Sequence, residues 1–400
     1  MADHSTAKIP AVKIGVLGAI TISAYGSWYY IFGVLLDPII EDTGWGEAVL
    51  TSAFSASVLL GGIASVAGGW LLDRFGSRFV FGLAGVICAV TFQAAAATGS
   101  VAVFAVSSAL GGGALAALGF YHVTQTAAVR LSPGATDKAI AVLTIWGAFA
   151  SAIFIPLAAW LVSSVGWRPT LRIITLIAAA TFLAGVVAVD TRTKEAPTRT
   201  SRIFSELMVA LREPASFRFL VAQGLAGVGV STILVYQVPA MTAAGLTLAA
   251  ASFWAGFRGF AQIGGRLPLI PIVRRLGTVG SLRLAYTTIA VGSLSLAFAS
   301  NQLVALSYAL LAGFGIGATS PLVGMHARLV YGESSLGTAM GVLSLVFMAV
   351  GALGPAGAGW LAASTGSRAL PVLLSALVVL AAVPVIRAPV RQPSIRPPLP

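Results

Sequence analysis

Apolar runs of span length, separated by short charged loops, recur along almost the whole chain. A chain with this pattern has few places to put its apolar surface. Only 9% of its residues are charged and 58% are hydrophobic, whereas a soluble domain has about 25% charged residues. A soluble fold of 400 residues has too little interior for so much apolar surface, but a bilayer accepts it. Inside lipid, only helices and closed barrels satisfy their own backbones. Barrel strands alternate apolar and polar residues. The runs here are long, unalternated and rich in Ala, Leu, Val and Gly. The expected fold is therefore an all-α membrane protein.

A helical crossing needs roughly 20 residues, so twelve crossings with short loops take about 300 to 350. The runs place spans at 15–36, 48–71, 79–98, 101–129, 139–164 and 168–189, then at 217–243, 250–273, 280–300, 303–329, 337–363 and 369–387. Gly and Pro inside them do not veto a membrane helix. Five regions follow: an N-terminal segment 1–14, a six-helix half 15–189, a polar linker 190–216, a second six-helix half 217–387, and a proline-rich tail 388–400. The tail is expected to be disordered. Met1 to Lys13 is short and polar and the first apolar run is span-length, so no cleavable leader is expected. The single cysteine, Cys88, excludes a disulfide framework and reads as a small apolar residue.

The net charge of +12 is not a nucleic-acid footprint, because the basic residues sit in alternate short loops. Lys8, Lys13, Arg74, Arg78, Arg130, Lys138, Arg274, Arg275, Arg283, Arg328, Arg387 and Arg391 fall on one side, with Arg192, Lys194, Arg199, Arg202 and Arg212 of the linker. The other side keeps Arg168, Arg368 and an acidic loop with Asp37, Glu41, Asp42 and Glu47. The positive-inside rule then puts both termini in the cytoplasm of a multi-pass cell-membrane protein. An internal repeat supports two pseudo-symmetric halves. Ala139–Arg168 aligns with Ala339–Arg368 at a constant offset, with Ala158, Trp160, Leu161, Ser164, Gly166 and Arg168 facing Ala358, Trp360, Leu361, Ser364, Gly366 and Arg368. Duplicated halves with a site between them are a transporter architecture.

The most specific motif is Gly68-Gly69-Trp70-Leu71-Leu72-Asp73-Arg74-Phe75-Gly76-Ser77-Arg78, in the loop after the second span. It resembles the signature loop of the major facilitator superfamily, Gly-x-x-x-Asp-Arg-x-Gly-x-Arg. The resemblance implies a conformational latch of Gly69, Asp73, Arg74, Gly76 and Arg78, with Asp73 docking on the positive end of the eleventh span. The equivalent second loop, Val273-Arg274-Arg275-Leu276-Gly277, has arginine in place of the acid. Phe32-Gly33-Val34, Gly44-Trp45-Gly46-Glu47 and Gly166-Trp167-Arg168 resemble the bacterial monocarboxylate and oxalate transporter branch. That branch implies an arginine of the eighth span on the substrate carboxylate. Gly264-Gly265-Arg266 matches the position, with Ile270 where a glycine is usual.

Charged residues deep in spans are costly and face cavities. Arg258, Gln262 and Arg266 are spaced to share one helix stripe. No Asp or Glu lies deep in a span, so the natural partner of such an arginine is an anionic substrate. The alternatives are that Arg258 pairs with backbone carbonyls and Arg266 snorkels to the surface. Tyr25, Trp28, Tyr29 and Phe32 form an aromatic stripe on the first span that lines a pocket or packs between helices. Tyr121, His122 and Gln125 sit in the fourth span, where His122 carries a proton or is a hydrogen-bonded structural residue. Tyr236 and Gln237 precede a kink at Pro239, His326 lies near the inner surface, and Gly354-Pro355-Ala356-Gly357 lets helices approach and bend. No Walker loop, metal cluster or nucleophile–base set is present, so no enzyme, cofactor or metal is expected. The expectation is a monomeric secondary transporter of a small organic anion, a monocarboxylate moved with a proton. Export of amphipathic compounds is the alternative, and a sensor on a transporter scaffold a minor one.

Overall fold

The computed structural model describes residues 9–191, 212–331 and 336–387, and every regular element among them is a helix. In chain order these are α1 Ala11–Ala24, a π-helical turn Tyr25–Tyr30, α2 Phe32–Thr43, α3 Glu47–Ala97, α4 Val101–Gly119, α5 Tyr121–Leu131, α6 Thr136–Val165, α7 Trp167–Ala188, α8 Pro214–Ala243, α9 Leu248–Arg266, α10 Leu269–Ala297, α11 Gln302–Tyr331, α12 Leu336–Gly351, α13 Leu353–Thr365 and α14 Ala369–Val385. Most of the linker 190–216, the tail 388–400, and Lys8, Arg192, Lys194, Arg199, Arg202 and Arg391 lie outside the described residues. Among the described residues, eight helical stretches are long and apolar enough to cross a membrane. α9 and α10 are not among them: one carries Arg258, Gln262 and Arg266, the other Arg274, Arg275 and Arg283.

Helix breaks follow local chemistry. α3 has 51 residues, about 75 Å at 1.5 Å per residue and far more than one bilayer needs. It breaks at Gly76 with φ 80° and ψ 175°, a conformation open essentially to glycine alone. α10 breaks at Gly277 with nearly the same angles, φ 68° and ψ 173°. α12 gives way to α13 at Ala352, just before Pro355, whose missing N–H leaves the Gly351 carbonyl without a helical donor.

Contacts define two ends of the bundle. At the acidic end, Arg168 meets Asp42, and Arg368 meets Asp37 and Glu47. At the basic end, Arg78 meets Asp190, Arg130 meets Asp73, and Arg283 donates to the Ile386 carbonyl. The helices before residue 191 meet those after 212 along three lines: α6 with α9, α3 with α12 and α13, and α2 with α8. Close approach there depends on glycine. A side chain at Gly259 would collide with Ser151, and one at Gly33 with the Val235 carbonyl. Ile63, Val86, Val90, Leu183 and Leu377 are exposed around the outside, as helices solvated by lipid require.

Candidate functional site

α9 begins at Thr247, whose hydroxyl accepts from the Ala250 amide as an N-cap. Its inner face is small, with Ala251, Ser252, Ala255 and Gly259, so the helix packs closely and carries Arg258 into the bundle. Arg258 is fully buried. Its Nε donates to Gln237 Oε1 at 3.1 Å. Tyr308 donates its hydroxyl to the same oxygen at 2.9 Å, and Gln237 Nε2 is tied to the Leu234 carbonyl at 2.9 Å. Gln237 is thereby held with its oxygen toward the arginine. Among the described residues Nη1 and Nη2 make no hydrogen bond of good geometry, although the Tyr30 and Tyr308 side chains lie close to the guanidinium, and no carboxylate forms an ion pair with Arg258. An uncompensated buried charge costs several kcal/mol. What remains open is the pair of terminal nitrogens, the edge that binds a carboxylate bidentately.

The first part of the chain faces this charge with tyrosines. The run Tyr25–Tyr30 is π-helical rather than α-helical, which widens the aromatic stripe. An i→i+5 turn holds one more residue than an α turn, so Tyr30 joins Tyr25 and Tyr29. Trp28 and Phe32 pack into a core with Phe54, Phe92 and Phe104, which Tyr29 also reaches at Phe54, 5.8 Å away, and Trp28 Nε1 donates to Ser57 Oγ at 3.0 Å. Tyr30 lies under the guanidinium, 5.8 Å from its carbon to the ring centroid. Tyr25 stacks on Phe120 at 3.7 Å and lies 5.4 Å from the Tyr121 ring. Spacing in the sequence points to neither Tyr30 nor Tyr308. Only the π turn reveals the first, and the second is a lone tyrosine in an apolar run.

Arg266, two turns along α9, is half-buried rather than extended to the surface. Its Nη1 donates to the Thr144 carbonyl of α6 at 3.1 Å and its Nε to the Gly317 carbonyl at 3.2 Å. Tyr121 donates to the same Thr144 carbonyl at 3.2 Å, so Arg266 and Tyr121 meet there. Gln262 is buried between the two arginines. His122 follows the break between α4 and α5 at Phe120, and its Nε2 lies 2.9 Å from the Ala117 carbonyl. A carbonyl only accepts, so that nitrogen carries the proton. Tyr236 is not at this site: its hydroxyl donates to Glu47 at 2.7 Å at the acidic end. His326 is buried against Phe219 in the second part of the chain.

The latch residues lie together at the basic end, with partners other than the one expected. Asp73 pairs with Arg130, which also donates to the Leu72 carbonyl at 3.3 Å. Arg78 pairs with Asp190 at 3.5 Å, and Arg74 lies 5.5 Å from the Trp70 and Phe75 rings. All these partners precede residue 191. The side chains that open α12, where Asp73 was expected to dock, lie outside the described residues. Gly69 is helical with open space around it, and Gly76 makes the turn.

The sequence profile of the Major Facilitator Superfamily matches residues 17–355. No curated protein matches the sequence at a significant level. Two solved structures of the nucleoside transporter NupG share the fold, with TM-scores of 0.79 and 0.77, 14% identity, and coverage of 94% of this chain and 98% and 99% of theirs. A D-xylose–proton symporter superposes with a TM-score of 0.71 at 16% identity, over 94% of this chain and 97% of its own. An autoinhibited peptide transporter of the POT family gives 0.68 at 16% identity, over 96% and 99%.

Proposed function

The chain belongs to the major facilitator superfamily, and from that membership we propose that it moves a small organic anion, specifically a monocarboxylate, by alternating access, with Arg258 selecting the cargo. As a multi-pass membrane protein of that superfamily it is a transporter and not an enzyme. One observation carries the anion reading: a fully buried guanidinium with its Nε hydrogen-bonded and, among the described residues, neither terminal nitrogen in a hydrogen bond of good geometry or an ion pair. A guanidinium does not give up its proton in a protein, so a carboxylate supplies the missing charge. Arg266 and Tyr121, meeting at Thr144, mark the basic side of the same path, and Tyr25, Tyr29 and Tyr30 its aromatic wall.

Twelve crossings in two halves, 15–189 and 217–387, account for the helices best. α3 is long enough for two, and α9, α10 and α14 add to the other long apolar stretches. The matching turns at Gly76 and Gly277 support duplication. The clustering of basic residues supports a cytoplasmic basic end. A proton travels with the cargo, shared between His122 and the substrate acid. A D-xylose–proton symporter with this fold is a precedent for such coupling. A second reading, export of amphipathic compounds, draws on the tyrosine cluster. Proteoliposomes separate the two. The anion reading expects uptake of labelled acetate, lactate or pyruvate driven by an inward proton gradient and lost in Arg258→Gln. Transport of amphipathic cations alone would favour the second.

A further inference from the structure

Two arginines at matching places in the internal repeat are used differently at the acidic end. Arg168 donates to Asp42 at 3.3 Å and to the carbonyls of Ala96 and Thr98 at 3.1 and 2.8 Å. Trp167 Nε1 donates to the same Asp42 oxygen at 2.9 Å. Every one of these partners precedes residue 191. Arg368 instead crosses to the first part of the chain, with Nη2 2.5 Å from Asp37 Oδ1 and 3.2 Å from Glu47 Oε2. Tyr236 donates to the other Glu47 oxygen at 2.7 Å, and the Thr242 hydroxyl lies 3.4 Å from Asp37, with the Val238 and Pro239 carbonyls of its own helix closer at 3.2 and 3.1 Å. Two carboxylates of α2 and α3 are thus held by Arg368 before α14 and Tyr236 of α8, with Thr242 of α8 beside them. The backbone explains the divergence. Gly166 (φ 82°, ψ 172°) leads directly into α7, so Arg168 sits in that helix's first turn. Gly366 (φ 68°, ψ 9°) is a left-handed C-cap that ends α13 and leaves Arg368 at the start of α14.

We propose that Asp37, Arg368 and Glu47, with Tyr236 and Thr242, form the bolt that holds the acidic end shut, and that it opens in every transport cycle while the Arg168–Asp42 brace stays made. Any motion that separates the two parts of the chain at this end must break the first set and leaves the second untouched. The bolt is suited to reversible opening. A cavity of about 390 Å³ lined by Asp37, Ile40, Glu41, Thr242, Ala243 and Arg368 lies against it, so water can solvate the charges as they part. Further in, α2 and α8 touch where Gly33 meets the Val235 carbonyl, and the bolt holds that contact closed. The assignment rests on alternating access and is independent of which solute is carried.

The test is a distance measurement on the full chain in nanodiscs, without substrate. With Cys88→Ala as background, spin labels go on cysteines replacing Ser100 and Ser300, both exposed at this end. Double electron–electron resonance then reports the separation. Arg368→Gln should raise the long-distance population about fivefold, as loss of a partly buried ion-pair network would. The double variant Asp37→Asn with Glu47→Gln, which keeps the arginine, should do the same. Arg168→Gln should leave the distribution as in the parent. Unchanged distances in either bolt variant, or an equal opening in Arg168→Gln, would overturn the assignment. A failure of the anion reading would leave all these distances as they are.

Discussion

Arg258 brings a fixed positive charge into the bundle, and its neighbours decide which of its edges a ligand can use. With Nε on Gln237, only the Nη1–Nη2 edge is open. Lysine there keeps the charge and loses the planar fork, while glutamine loses both. The expected order of carboxylate affinity is Arg258, then lysine, then glutamine. Losing the charge-assisted contact should cost roughly 1.5–3 kcal/mol, or about ten- to a hundredfold. Gln237→Glu probes the same site from the other side. A carboxylate in place of the amide oxygen would neutralise Arg258 from within, so the variant should be stable yet bind added anions at least about tenfold more weakly; unchanged binding by isothermal titration would count against the site. His122 is tied to the Ala117 carbonyl beside a helix break, which favours a structural share in its role. His122→Gln should cost less than about tenfold in transport rate. Complete loss of proton-driven uptake with exchange preserved would make it the proton carrier instead.

At the scale of elements, the π turn and the glycine turns shape the site and the loops. The run Tyr25–Tyr30 reads as an ordinary amphipathic stripe in sequence, and nothing in its composition announces the extra residue per turn. Trp28 and Tyr29 still share Phe54 as a neighbour, while Trp28 also reaches Phe92 and Tyr30 is brought round to the tyrosines. The turn at Gly76 was legible from its motif, but Asp73's partner was not. Arg130 is 57 residues away, and only the packing of α3 against α5 joins them. Asp73→Asn removes that ion pair and should impair transport while leaving substrate binding largely intact; full transport activity would exclude a latch role. Gly76→Ala forces a side chain into a glycine-only conformation and should destabilise the protein by roughly 1–3 kcal/mol. Gly69→Ala, helical with nothing near its added methyl, should leave the melting temperature unchanged. Equal melting temperatures for the two variants would contradict the role given to Gly76.

For the whole molecule, helical class and membrane residence were legible because lipid removes almost every alternative for long, unalternated apolar runs. The placement of Arg258 was half legible. Its spacing and the lack of deep acids pointed inward, but Gln237 and Tyr308, which fix its orientation, come from α8 and α11 and share no local pattern with it. The contrast between Arg168 and Arg368 was hidden entirely, since their segments look alike in sequence and differ in the ψ of one glycine. The central expectation for the molecule is that buried Arg258, which no carboxylate among the described residues pairs with, takes an anion. Its most direct test is thermal unfolding of the purified parent and Arg258→Gln proteins with acetate, lactate, pyruvate and amphipathic cations. At least one monocarboxylate should raise the parent's melting temperature in a dose-dependent way and leave Arg258→Gln unmoved. Stabilisation of the parent by cations alone, or equal stabilisation of both proteins by the acid, would contradict it.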